Sequence, residues 1–135
     1  MSTNIFERYL ETEVLSADPV KLVSLLYRGA IEATGAARRH LASGSIADRS
    51  KQITRAWEIV QELAHSLDHK QGGELSQNLA ELYGYIQTRL LDANALQTDA
   101  PLAEVESLLV VLSEAWRGIE HRTVIADYVP VACNA

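Results

Sequence analysis

Two histidines, His65 and His69, stand four residues apart with Asp68 between them. On a single helix that spacing places both imidazoles on one face, which is half of a zinc site. A zinc site also needs a third ligand and an outer hydrogen-bond partner, and residue 66 is Ser where a metalloprotease helix carries Glu. Two histidines near the end of a helix also complement its dipole. That second reading is preferred, and no metal is expected. Arg38, Arg39, His40, Arg49, Lys51 and Arg55 form a basic cluster that could meet an acidic partner. Cations at helix ends are more simply dipole complements, and solvated charge is usual there. Gly72-Gly73 ahead of a helix could receive an anion. No phosphate-binding loop, nucleophile elbow or paired cysteine ligand accompanies it, so it reads as a turn. No catalytic residue is assigned and no cofactor is implied; the chain is expected not to be an enzyme.

The tyrosines are more informative. Tyr9, Tyr27, Tyr83, Tyr85 and Tyr128 make up five of the eight aromatic residues. Tyrosine suits an apolar surface that must also meet water or a partner's backbone, because the ring buries while the hydroxyl bonds. Tyr83 and Tyr85 fall off the apolar stripe of their helix, which suggests that this helix uses more than one face.

The elements that carry these residues follow from apolar spacing. Asp18-Pro19 reads as an N-cap followed by proline at the first helical position. The helix behind it shows Leu22, Leu26, Ala30, Ala33, Ala37 and Leu41. Gly29 and Gly35 within it lower helix propensity by about 1 kcal/mol each, which close approach of a neighbouring backbone would explain. Ser43-Gly44-Ser45 stops and restarts the chain, with Ser45 and Asp48 spaced as a capping box. A second helix carries Ile53, Trp57, Val60, Ala64 and Leu67 and runs to about residue 70. A third, opening near Glu74, carries Leu75, Leu79, Leu82, Ile86, Leu90 and Ala93 toward the core. Asp99-Ala100-Pro101 begins a fourth with Leu102, Val105, Leu109, Leu112, Trp116 and Ile119. Three-and-four spacing in four helices joined by short turns specifies an all-α, antiparallel, up-down four-helix bundle. The expected helices are about 19–42, 46–70, 74–97 and 100–120, within a bundle spanning 18–121.

Two features exceed what a bundle needs. Leu108, Val110 and Val111 make the fourth helix apolar nearly all round, although one stripe would suffice. Residues 1–17 form an amphipathic arm or short helix with Ile5, Phe6, Tyr9, Leu10, Val14 and Leu15 but no assigned place. Residues 122–135 read as a tail, in which Pro130 argues against a helix.

Composition sets the outer limits. The 135 residues are 47% hydrophobic, enough for one domain with a real core. A net charge of −6 makes binding to phosphate backbones a poor expectation. The single cysteine, Cys133, cannot pair within the chain, which fits a reducing compartment. Glu7, Arg8, Glu11 and Glu13 break up the N-terminus, so no secretory signal is expected. No apolar run approaches a membrane span, and a cytoplasmic location is the default.

A series of short motifs then falls into a recognisable order. Tyr9 in the arm precedes Ser16-Ala17-Asp18-Pro19 and Leu25-Leu26-Tyr27-Arg28-Gly29-Ala30-Ile31. Leu67-Asp68, Lys70-Gln71-Gly72-Gly73-Glu74, Asn78-Leu79 and Leu82-Tyr83-Gly84-Tyr85-Ile86 follow. Arg89-Leu90-Leu91-Asp92-Ala93-Asn94, Glu104-Val105 and Ala115-Trp116 complete the series. From about Ile5 to Ile119 the chain resembles FliS, the flagellin-specific export chaperones of bacterial flagella. The resemblance implies a cytoplasmic four-helix chaperone that binds the disordered C-terminal segment of flagellin. Such a chaperone prevents premature polymerisation and aids delivery to the flagellar export apparatus. It also implies that the client wraps the outside of the bundle and that the arm covers part of that surface when no client is bound. The family usually carries Asp where this chain has Arg28 and Gly84.

Helix phase and the resemblance together nominate Tyr27, Tyr83, Ile86, Leu108 and Val111 for client contact. Ile5 and Tyr9 are nominated for covering the groove or meeting a component of the export gate. The competing reading is a self-associating structural bundle, with the surplus apolar surface forming a homodimer. A metal-dependent bundle enzyme is disfavoured, because its inward faces would carry Glu and Glu-x-x-His rather than Leu, Ile, Ala and Trp.

Overall fold

The computed structural model describes residues 19–128, with side chains placed as far as residue 121. Four helices follow one another: α1 (Pro19–Ser43), α2 (Ile46–His65), α3 (His69–Leu96) and α4 (Ala100–Tyr128). Among the described residues there is no strand. Each helix packs on its neighbours in chain order, and α1 closes the ring against α4. This is the four-helix bundle that the apolar stripes require. The arm, with Ile5 and Tyr9, and the tail from residue 129 lie outside the described residues.

Small side chains set the closest packing. Ala30, Ala33 and Ala37 of α1 and Ala56 of α2 are fully buried or nearly so, and α1 with α2 is the most extensive helix pair. A methyl group at such positions brings helix axes to the low end of the usual 8–10 Å range. Gly29 belongs to the same contact: a Cβ there would meet Ile59 Cδ1 at 3.3 Å. The neighbour that Gly29 admits is therefore a side chain, not the backbone expected from sequence. Ile53, Val60, Leu63, Ile86, Leu90, Leu102, Val105 and Leu109 fill the centre. Fully burying side chains of this size contributes about 1.5–3 kcal/mol each, which offsets the chain entropy lost on folding.

The ends of the bundle differ. At one end lie the α1–α2 and α3–α4 turns. Gly44 takes a positive φ of 77° after α1, and Gln97 caps α3 in the left-handed region. Ser45 does not form the expected capping box; its hydroxyl meets Ser43 Oγ at 3.2 Å instead. Arg38 grips this end, donating to Asp99 at 2.8 and 2.9 Å and to Glu106 at 2.7 Å.

The other end holds the start of α1, the α2–α3 connection and the far part of α4. Here the boundaries depart from expectation. α2 stops at His65 rather than near residue 70, and the chain reverses through Ser66–Asp68. Asp68 is the N-cap of α3, accepting from Lys70 N and Gln71 N at 3.1 and 3.2 Å. One turn of helix follows, and Gly73 then breaks it at φ 53°, ψ −127°, a conformation essentially restricted to glycine. A Cβ on Gly72 would meet Ser76 Cβ at 2.7 Å. The glycine pair thus kinks the start of α3 instead of joining two helices, although regular helix does resume near Glu74 as the sequence predicts. α4 continues through Tyr128, so residues 122–128 are helical and not tail. Nothing before Pro130 obstructs helix, and a residue preceding proline disfavours it.

Candidate functional site

Most nominated residues lie on α3 and α4, and the structure turns α3 relative to expectation. Ile86, Leu90 and Ala93 of the expected stripe are buried and Leu79 and Leu82 pack against the core, but Ser76 and Tyr83 are buried while Leu75 is not. Leu75 is 64% exposed, whereas Tyr83 is 2% exposed. Tyr27 is also buried, and its hydroxyl bonds that of Tyr83 across the bundle. Burial raises the ionisation point of both phenols above the usual value, and the shared bond raises Tyr27 further.

Three nominated residues are therefore interior. Tyr27 and Tyr83 do not look outward, because each supplies the other's hydroxyl partner in the core. Ile86 is fully buried in the same core. Leu108 is half-buried against the core, and Val111 is 63% exposed. Among the tyrosines with described side chains the outward one is Tyr85, whose hydroxyl donates to Glu104 Oε2 at 2.8 Å.

Glu104 also accepts from Arg89 Nε at 2.7 Å. Arg89 and the Tyr85 hydroxyl hold its carboxyl below the usual range. These contacts fix which sides of α3 and α4 face each other. Steps of three and four from Tyr85 back along α3 reach Leu82, Asn78 and Leu75. The antiparallel steps from Glu104 along α4 reach Leu108, Val111, Ala115 and Ile119. The result is an apolar seam on which Leu75, Tyr85, Val111 and Ile119 all remain exposed. The α3–α4 pair is also the least extensively packed of the four.

At the kinked end the seam runs into a groove with a cavity volume of 270 Å³. Val23, Leu67, Leu75, Leu79 and Trp116 line its sides, and Tyr27 and Tyr83 form its floor. The indole of Trp116 is held by donating to Val20 O at 2.9 Å. A larger cleft of 1110 Å³ separates α1 from α4, but Lys21, Arg28, Glu32, Glu114, Arg117 and Glu120 line it. So many charges favour a solvated cleft over an apolar docking surface. Sequence reasoning missed Val23, Leu67 and Trp116 as groove residues because each reads as an ordinary core position on its own helix. A Cβ at Gly84 would meet nothing within 4 Å.

The polar clusters do not assemble a second site. His65 ends α2 and meets Gln61 at 3.1 Å, while His69 opens α3 and meets Ser76 Oγ at 2.9 Å. They are not two ligands on one helix face. Arg38 is occupied by two acids, and Arg49 is buried in the core beside Asn94. Their basic neighbours are divided between two helices. Among the described residues no three His, Cys, Asp or Glu are placed to hold a metal ion, and no helix is long and apolar enough to cross a membrane.

An all-α bundle with an apolar seam, and no metal-binding cluster among the described residues, agrees with the family suggested by the motif order. The profile of the family described as "Flagellar protein FliS" matches residues 2–123. The chain belongs to the FliS family. It is 38% identical over 111 residues to the flagellar secretion chaperone FliS of Salmonella typhimurium, covering 82% of both chains. It is 36% identical over 112 residues to the flagellar secretion chaperone FliSB of Pseudomonas aeruginosa, covering 83% of this chain and 89% of that one. The Bacillus subtilis flagellar secretion chaperone FliS is 28% identical over 114 residues, 84% of each chain. A place among flagellar secretion chaperones accounts for a bundle whose surface, rather than an enclosed pocket of reactive groups, is its distinctive part.

Proposed function

We propose that this protein is a cytoplasmic chaperone for the C-terminal segment of flagellin, which it keeps from polymerising early and helps deliver to the export apparatus. Membership of the FliS family supports the class of activity. The observation that carries the site is the apolar α3–α4 seam, with Leu75, Tyr85 and Val111 exposed beside half-buried Leu108. A disordered client loses chain entropy on binding, so it needs a long apolar surface to compensate. An amphipathic helix laid along the seam is the mode that fits.

In this reading Leu108 and Val111 contact the client directly, joined by Leu75 and Tyr85. Tyr27 and Tyr83 contribute as the floor of the adjoining groove, and Ile86 lies in the same core. Ile5 and Tyr9, in the arm, cover the seam when no client is present or meet the export gate. Self-association through the same seam is the competing use. Capture of full-length flagellin should greatly exceed capture of flagellin lacking its C-terminal segment. Equal capture of the two would sink the proposal. A concentration-dependent dimer that the client leaves unchanged would favour self-association.

A further inference from the structure

The groove at the kinked end carries a hydrogen-bond feature that a purely apolar docking site does not need. Its floor is the Tyr27–Tyr83 pair, each ring at least nine-tenths buried. Either hydroxyl can be the donor in their shared bond. Two phenols carry two O–H protons, and one bond uses one of them. Neither hydroxyl has another hydrogen-bond partner among the described residues. The other polar side chains lining the groove are engaged: Ser66 donates to Leu63 O at 2.7 Å, and Ser76 Oγ meets His69 Nδ1 at 2.9 Å. Asp68 caps α3 through Oδ1, and the indole N–H of Trp116 is held by Val20 O. One O–H donor is left over in a pair that lines the cleft together with Val23, Leu67, Leu75, Leu79 and Trp116.

A buried donor without an acceptor is unfavourable unless a ligand or water completes it. We infer that the groove is a subsite for a backbone carbonyl accompanied by a leucine- or phenylalanine-sized side chain, with the Tyr27–Tyr83 pair donating to the carbonyl. This inference rests on the client reading proposed above and specifies how one part of the client is held. The last four carbonyls of any α-helix lack intrahelical partners. The C-terminal turn of a client helix therefore offers both the free acceptor and the apolar side chain. The seam leads such a helix toward the groove, since Leu75 belongs to both surfaces. The pair can serve because either oxygen can donate: it keeps its internal bond and still presents one proton.

The test compares wild type, Tyr27→Phe, Tyr83→Phe and the double variant, measuring thermal stability and affinity for the isolated flagellin C-terminal segment by calorimetry. Each single variant leaves one buried hydroxyl without its partner, so it should lose stability. It still keeps a proton to donate, so its affinity should stay within about threefold of wild type. The double variant removes both hydroxyls and should regain stability. Its affinity should fall by about five- to tenfold, the size expected for one lost hydrogen bond. A stable double variant that binds as tightly as wild type would overturn the inference and leave the client reading standing. Failure of wild type to bind the segment would overturn both. Should the double variant not fold, proton spectra of the wild-type tyrosine hydroxyls decide. Client binding should slow the exchange of one hydroxyl proton and move it downfield, and unchanged hydroxyl signals would overturn the inference.

Discussion

The two halves of this bundle are built from similar residues and serve different ends. In α1 and α2, Ala30, Ala33, Ala37 and Ala56 allow close approach, and Ile46 is the one large apolar residue left exposed among their described positions. In α3 and α4, Leu75, Tyr85, Leu91, Leu96, Val110, Val111 and Ile119 are all exposed. The pair is bridged at its surface by Glu104 with Tyr85 and Arg89 rather than by close packing. Hydrophobic content is therefore a poor guide to where stability resides in this chain. The α1–α2 half satisfies its own surface, whereas the α3–α4 half leaves a surface for something else to satisfy.

That contrast can be broken by substitution. Leu63→Ala, in the fully buried core of α2, should lower unfolding free energy by about 2–5 kcal/mol. Urea denaturation would show the loss, while affinity for the flagellin segment, per folded molecule, should stay within about twofold. Val111→Lys should do the reverse. Its stability should change by no more than about 0.5 kcal/mol, and client affinity should fall about tenfold or more, as expected for a residue central to an interface. If Val111→Lys unfolds the protein, the seam belongs to the core and the contrast is wrong.

A smaller effect sharpens the boundary between the halves. Tyr27 and Tyr83 link α1 to α3, and burial raises both phenols above their ordinary value. A raised folded-state value means the stabilisation is full below the unfolded value, about pH 10, and is lost as pH rises through the folded values. Wild-type stability should therefore decline as pH increases above about 10. The Tyr27→Phe/Tyr83→Phe variant should decline less steeply over that range. Matching slopes in alkaline denaturation would show that the pair does not couple the halves.

Much of the fold can be read from residues near one another in sequence. Pro19, Gly44 and Asp99 mark helix ends by local chemistry, and the Leu, Ile and Ala stripes make four helices the only economical arrangement. The groove is a different matter. Whether α3 turns Leu75 or Tyr83 inward is decided by Tyr27, a hydroxyl partner 56 positions away. No periodicity within one helix contains that information. The α2–α3 connection was closer to legible, because Asp68 with Gln71 three residues on has the form of a capping box. Tyr85 and Val111 were legible as surplus apolar residues, while the groove walls were not, because Val23, Leu67 and Trp116 converge only once three helices and a turn are assembled.

The most direct test of the account is a methyl NMR titration of the whole protein with the flagellin C-terminal segment. Methyl signals of Leu75, Leu108 and Val111 should move first and furthest, while those of Ile53, Val60 and Leu63 hold their positions. Leading shifts at Ile53, Val60 and Leu63, with the seam methyls unmoved, would contradict it.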